Sequence, residues 1–259
     1  MLYIFTLASD RFYHYADDLS KRMKFNYTDY TIKFNKVASP YMSPRPYRLG
    51  QRQAATEQTR IRIIHACREL LMTKDGFTHF SMEMVAKQAD VARMTVYHQF
   101  GSKTGLLEAL CDSLAVNGGM EQMANVFCQS EPIEALKQYI IIFGRFWSAD
   151  RLVTRRLRAL ADLDPEFEQV IRQRDERRRT GVRTLLARIC EEYEQPSAET
   201  LENAGNVLCT LIGFETFDSL AGPERSPEDV TDLVYQLVLA ALDRLIPDIK
   251  PSSPSSSSP

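Results

Sequence analysis

Three times in the second half of the chain a short polar or acidic residue stands against proline and further acids: Ser130-Glu131-Pro132, Asp164-Pro165-Glu166 and Ser226-Pro227-Glu228-Asp229. At the start of a helix such a side chain accepts from orphan first-turn amides. Proline loses nothing there by lacking an N–H, and acids suit the positive end of the helix dipole. Each run opens onto apolar residues spaced three and four apart, the period of a helix with one buried face. Pro196-Ser197 separates two further helices, and Gly222-Pro223 parts the last two. After residue 56 no convincing strand alternation occurs. The expected fold class is all-α.

Several function classes drop out on composition. No apolar run approaches the roughly 18–20 residues of a membrane span. The N-terminal MLYIFTLASD has no positive charge ahead of its short apolar stretch, so it is a poor secretory signal. The five cysteines (Cys67, Cys111, Cys128, Cys190, Cys209) are odd in number, widely spaced and free of C-x-x-C. That set fits buried thiols in a reducing cytoplasm better than a disulfide framework or a zinc site. A cytoplasmic location is expected, with no membrane partner, no metal and no cofactor.

Residues 1–41 hold ten phenylalanines and tyrosines without a sustained period. One reading is a partly ordered extension. The other is an AT-rich stretch of DNA read as codons, with translation starting naturally at Met42; the intact mass of the natively expressed protein decides. Residues 43–55 read as a Pro-rich basic linker, which closes the extension 1–55. The closing Ser/Pro run, 250–259, has nothing to bury and is expected to be disordered.

Between them, residues 60–75 place Ile63, Ala66, Cys67 and Leu70 on one face, with Gly76 expected to end the helix. Ser81 caps a second helix, SMEMVAKQA, whose Val85, Ala86 and Ala89 face inward. Asp90-Val91-Ala92-Arg93 breaks it, and a third short helix, MTVYHQF, follows. Val96 and Phe100, four apart, anchor its inner face and leave Arg93, Thr95, Tyr97, His98 and Gln99 largely free. Ser102 caps a fourth helix carrying Lys103, Leu106, Leu107 and Leu110. Two short helices about a tight turn, the second crowded with hydrogen-bonding side chains, is the form of a helix-turn-helix DNA reader. The turn carries Asp90 where glycine is common; aspartate tolerates left-handed backbone better than most residues.

The run Ser81-x-x-x-Val85-Ala86-x-x-Ala89-x-Val91-x-x-x-Thr95-x-Tyr97-x-x-Phe100-x-Ser102-Lys103-x-x-Leu106-Leu107 resembles the N-terminal domain of TetR-family regulators. The likeness spans roughly residues 57–117. It implies a three-helix helix-turn-helix domain over 56–117 (motif 81–100) and a helical effector-binding and dimerisation domain over 118–249. It further implies a dimeric, ligand-responsive regulator, most simply a repressor, on a double-stranded operator. By that resemblance Ser81, Arg93, Met94, Thr95, Tyr97, His98, Gln99 and Lys103 lie against DNA. Arg93 suits a guanine edge, Gln99 an adenine or a phosphate, and Met94 a thymine methyl. The hydroxyls of Ser81, Thr95 and Tyr97 suit phosphate oxygens, which position without reading sequence. Lys103 adds its charge to a helix start.

The charge distribution supports the same division independently. Residues 45–103 hold ten basic and five acidic side chains, a net +5; residues 1–44 carry +2 and residues 104–259 carry −9. Arg45, Arg48 and Arg52 lie just ahead of the first helix, as minor-groove arms or as a solvated linker. The acidic body shows no H-E-x-x-H, G-x-S-x-G or Gly-rich phosphate loop, and its catalytic set is expected to be empty. Its run from Arg172 to Arg188 reads as a solvated helix face laced by pairs such as Glu168–Arg172 and Asp175–Arg179. Val230, Leu233, Val234, Leu237, Val238 and Leu242 form a wide apolar stripe. With the helix of Leu201, Ala204, Gly205, Leu208 and Leu211 it is expected to serve a homodimer interface as well as the core, Gly205 permitting close approach. Phe143, Trp147, Phe214 and Glu215 are the candidate lining for an unknown small-molecule effector, a buried Glu215 suiting a cationic or hydrogen-bonding one. The alternative function is a small-molecule-binding adaptor that has lost DNA binding.

Overall fold

A computed structural model describes residues 44–191 and 196–246, with side chains from residue 53 onward. The aromatic stretch 1–41, the arginines at 45, 48 and 52, and the tail 250–259 lie outside the described residues or side chains. Among the described residues there are helices and no strands. α1 spans Pro44–Met72, α2 Lys74–Thr78, α3 Met82–Gln88, α4 Arg93–Phe100 and α5 Lys103–Asn117. A 3₁₀ turn, Met120–Gln122, leads to α6, Met123–Cys128; then come α7, Pro132–Ala149, α8, Arg151–Ala161, and α9, Pro165–Cys190. α10 is Ala198–Leu211, α11 Phe214–Ala221, and a second 3₁₀ turn, Glu228–Val230, precedes α12, Thr231–Leu245.

The first helix corrects the expected linker. α1 begins at Pro44 and runs 29 residues, through the whole of 44–55. Both prolines, Pro44 and Pro46, fall in its first turn, where a missing N–H costs nothing. The Gln, Ala and Glu residues that follow are strong helix formers. The other end differs as well: α1 stops at Met72, ahead of Gly76. The Thr73 hydroxyl accepts from the Gly76 amide at 3.0 Å and opens α2, inside which Gly76 is buried.

Most of the expected caps are in place. Ser81 accepts from Met84 N at 3.3 Å and Ser102 from Gly105 N at 3.0 Å; Ser197, expected only to separate two helices, also caps α10, accepting from Thr200 N at 3.1 Å. Asp164 accepts from Phe167 N at 3.3 Å, and Ser226 and Asp229 bond each other's backbone amides. At α7 the cap position belongs to Glu131, one residue after Ser130, with no side-chain cap bond and Pro132 as the first helical residue.

The chain forms two compact units. Among the described residues, one takes 44–116 together with Leu152–Gln169; the other takes Asn117–Arg151, 170–191 and 196–246. Inside the first, Ile63, Cys67, Val85, Val96, Leu106, Leu107 and Leu110 are buried to within rounding of zero exposure. α8 is fastened to α1 by Arg156, which donates to the carbonyls of Leu71 and Thr73 and stacks 5.4 Å from the Phe77 ring. The Leu71 carbonyl belongs to the orphan C-terminus of α1, where a guanidinium also meets the negative end of the dipole, while the Thr73 carbonyl accepts from Phe77 N at the start of α2 as well.

The core of the second unit runs through Leu136, Tyr139, Ile140, Phe143, Trp147, Leu185, Leu208, Phe214, Phe217, Val234 and Val238. Two glycines let its helices meet. A Cβ on Gly144 would stand 2.3 Å from Thr231 Oγ1, and one on Gly181 would stand 2.5 Å from Tyr139 Oη. Gly205 is not such a position: a Cβ there meets only Arg183 Cγ, at an ordinary 3.8 Å. Close approach between helices of this unit therefore rests on Gly144 and Gly181. No helix among the described residues is long and apolar enough to cross a membrane.

Candidate nucleic-acid interface

The candidate reading helix, α4, buries one thin face. On α4 only Val96 is fully buried, and Phe100 is half-buried. Everything else on α4 is thereby pushed outward: Arg93 and His98 are exposed, and Thr95, Tyr97 and Gln99 are half-buried. Met94 stands out at 61% exposure, a large apolar side chain held in solvent. α3 supports it with Met82, Val85 and Ala86 buried beneath.

The turn between them closes through Val91 N to Ala86 O at 3.0 Å and Thr95 N to Ala92 O at 2.8 Å. Asp90 takes φ +51°, the one non-glycine in the left-handed region among the described residues. The sequence expectation for this position holds. Glycine would take the same backbone without the clash of Cβ, so Asp90→Gly should stabilise the protein by about 0.5 kcal/mol. A chemical denaturation midpoint that falls in this variant would mean that the Asp90 side chain holds the turn.

Within the reader, Arg93 Nη2 lies 3.4 Å from Tyr97 Oη, and its guanidinium sits 5.5 Å from the ring centre. The two form one paired cation–ring surface on α4, with Arg93 exposed. Ser81 spends its acceptor on the α3 cap, leaving its hydroxyl hydrogen for a phosphate. Lys103 already has an anion nearby: its ammonium is 3.5 Å from Asp164 and 6.0 Å from the Phe80 ring centre. A phosphate would compete with that carboxylate.

One positioning residue was not visible in the sequence. Arg60 of α1 donates to the Gln99 carbonyl at 3.2 Å and stacks 4.5 Å over Phe100. It fixes the C-terminal end of α4 from a helix thirty-nine residues away in sequence. Nothing in the local pattern around Arg60 marks it.

In the second unit the candidate effector residues separate. Phe143, Trp147 and Phe214 come together, with Trp147 5.6 Å from each of the other two rings, and all three are buried. Phe146 lies 4.5 Å from Trp147, and the Trp147 indole N–H donates to Ile212 O at 3.2 Å. Glu215 is exposed, so a buried carboxylate in this cluster is ruled out. First in its helix after Phe214, Glu215 falls in the solvated first turn of α11. The Arg172–Arg188 run is also less uniform than a solvated face. Arg183 does pair in solvent with Glu176 at 2.9 Å, but Arg188 caps the carbonyls of Phe127, Gln129 and Ser130, and the Arg178 side chain is 9% exposed. Among the described residues no cluster of His, Cys, Asp or Glu is placed to hold a metal.

Comparison with known proteins agrees with the helix-turn-helix geometry. The family model for bacterial regulatory proteins of the tetR family matches residues 63–110. The HTH-type transcriptional regulator AlkX of Mycobacterium tuberculosis (strain ATCC 25618 / H37Rv) is 27% identical over 201 residues, covering 76% of this chain and 91% of that protein. NalD, the secondary repressor of the MexAB-OprM multidrug efflux pump in Pseudomonas aeruginosa, superposes with a TM-score of 0.55 at 21% identity, over 72% of this chain and 96% of NalD. The regulator FadR of Bacillus subtilis, solved with stearoyl-CoA, gives 0.53 at 16% identity, over 70% and 98%. These structural likenesses establish the shared fold.

Proposed function

We propose that the chain is a transcriptional regulator of the TetR family, a homodimeric, ligand-responsive repressor acting on a palindromic operator, a reading supported by the family-model match over residues 63–110 and the likeness to AlkX. Two α4 helices related by a twofold axis would enter successive major grooves about 34–36 Å apart. The observation that carries the reading is α4 itself: one buried anchor, Val96, under a continuous outward surface of Arg93, Met94, Thr95, Tyr97, His98 and Gln99. An exposed methionine beside a stacked Arg–Tyr pair suits a thymine methyl beside a guanine edge. The net +5 of residues 45–103 supplies the phosphate attraction that a −2 chain otherwise lacks.

The regulatory half of the proposal is thermodynamic. An effector held by the helical body must prefer the form that does not bind the operator, since equal affinity for both forms shifts nothing. That NalD is a repressor and that FadR holds stearoyl-CoA support this part of the reading by kinship of fold.

The test is a salt-dependent gel shift with DNA from beside the gene, in which a specific, salt-sensitive complex is expected and its absence would favour the adaptor alternative. Base reading and phosphate positioning separate by mutation. Arg93→Ala should relax preference at one operator position by about 1–2 kcal/mol and leave other sequences bound as before. Lys103→Ala should weaken all sequences together and flatten the salt slope by about one counterion, less to the extent that Asp164 already holds the ammonium. Unchanged affinity and slope in both variants would mean that α4 and the start of α5 do not face DNA.

A further inference from the structure

The segment Leu152–Gln169 belongs to the compact unit of the helix-turn-helix, although by sequence it falls in the region expected to hold the effector and the dimer contacts. It brings charge of the wrong sign for DNA. Residues 162–168, at the corner between α8 and α9, hold four acids (Asp162, Asp164, Glu166, Glu168) and no base. One of them meets a side chain proposed to face the operator. Asp164 Oδ2 lies 3.5 Å from the Lys103 ammonium at the start of α5, a partner 61 residues away in sequence. The carboxylate is the fixed member of this pair. Its other oxygen, Oδ1, accepts from Phe167 N at 3.3 Å, and its own amide donates to Ala161 O at 3.2 Å. Pro165 follows as the first residue of α9, and Phe167 is fully buried. Lys103 is the mobile member, an ammonium on a flexible four-carbon stem. The two side chains are 37% and 26% exposed, and a pair so open to water is weak enough to be given up.

We propose that Asp164 stands in for a backbone phosphate at Lys103 in the free protein and so holds down affinity for DNA of any sequence. The inference rests on the reading of α4 and the start of α5 as the DNA-facing surface, and adds to it a residue that opposes binding. When a duplex arrives, Lys103 exchanges the carboxylate for a phosphate oxygen, or bridges the two anions against their mutual repulsion. Either way the gain is smaller than an unpaired lysine would give. The salt dependence carries the same mark. A phosphate met by a free lysine releases a counterion, whereas here the vacated carboxylate takes one up, so the contact adds little to the slope. Base reading is untouched, because the side chains proposed for it lie on α4 and not on α5.

Asp164→Asn is the test, and it spares the fold because asparagine caps a helix about as well as aspartate. Asp162→Asn is its control, removing the same charge from an exposed position on the same corner. Affinity of the full-length protein is measured for a duplex from beside the gene and for a scrambled duplex, between about 50 and 200 mM salt. At the low-salt end Asp164→Asn is expected to tighten both duplexes by about threefold per subunit, or about tenfold for a dimer. Its salt slope should steepen by about one counterion per subunit. Asp162→Asn should gain no more than about twofold. On a Lys103→Ala background the gain from Asp164→Asn should shrink to that of the control, a coupling that only direct contact produces. Equal gains at 162 and 164, or a gain at 164 that survives the loss of Lys103, overturns the proposal. So does an Asp164→Asn protein that loses stability by circular dichroism while its affinity and slope stay put, since Asp164 would then serve α9 alone. The two readings fail separately. If the neighbouring duplex is bound no better than the scrambled one, the repressor reading falls while the scrambled duplex still reports the exchange at Lys103. A specific operator complex indifferent to Asp164→Asn does the reverse, and no binding to either duplex overturns both.

Discussion

Glutamate at both Leu233 and Leu237 is expected to leave a folded monomer that no longer holds a palindromic operator. The expectation comes from how α10 and α12 divide their apolar residues. Val234, Val238 and Leu242 are buried against the chain's own core, with Ala204 and Leu208 of α10. Leu233 and Leu237 are 42% and 38% exposed, and Val207 of α10 is 38% exposed. The broad stripe of the sequence thus serves two surfaces, an intrachain one that is filled and an outward one that is open. A twofold dimer would cover the outward one, bringing two helices from each subunit together. Four buried carboxylates at such an interface have no partner and force the subunits apart. A monomer then binds each half-site alone and loses the effective concentration that links them, so operator affinity should drop by at least about 100-fold. Sedimentation and gel shift read the two consequences, and circular dichroism checks the fold. A double variant that stays dimeric with unchanged operator affinity would place the interface elsewhere.

What could be read from the sequence was local. Ser81 and Ser102 cap because the amide they satisfy lies three residues on. Val85, Val96, Leu106 and Leu107 are buried, each on the apolar side that the pattern of its own short helix marks out. Asp90 bends where a turn between two short helices has to. The helix-turn-helix is built almost wholly of such short-range choices, which is why its outline was legible. The errors share the opposite cause. Pro44 and Pro46 suggest a linker because proline stops a helix from within, yet it opens one without penalty. Arg60, Arg156 and Arg188 act on backbone carbonyls between 39 and 85 residues away. Such contacts leave no period in the sequence. Arg178 belongs by sequence to a run that suits solvent; only the packing of α9 on α7 puts it 5.9 Å from the Trp147 ring centre. Glu215 erred the other way, placed inside by its neighbour Phe214 although one step along a helix turns a side chain by about 100°.

Glycine shows the same limit most sharply, and its test should be the largest stability effect in the body. In a helix interior Gly→Ala ordinarily stabilises by about 1 kcal/mol. At Gly181 the new methyl would stand 2.5 Å from Tyr139 Oη and 3.0 Å from two ring carbons. Tyr139 has nowhere to go: it is 2% exposed, lies 4.9 Å from Phe143 and 6.2 Å from Phe127, and donates to Arg178 O at 2.9 Å. Overpacking costs about 1–3 kcal/mol, and losing the tyrosine hydrogen bond adds about 1 kcal/mol. Against the helix gain, Gly181→Ala should destabilise by about 2 kcal/mol in denaturant. Removing the obstruction should reverse the sign. On a Tyr139→Leu background, itself less stable, the same alanine should stabilise by up to about 1 kcal/mol, a coupling that only direct contact produces. If alanine at 181 raises the midpoint with Tyr139 intact, the ring has room to move and the α7–α9 contact is looser than its distances imply.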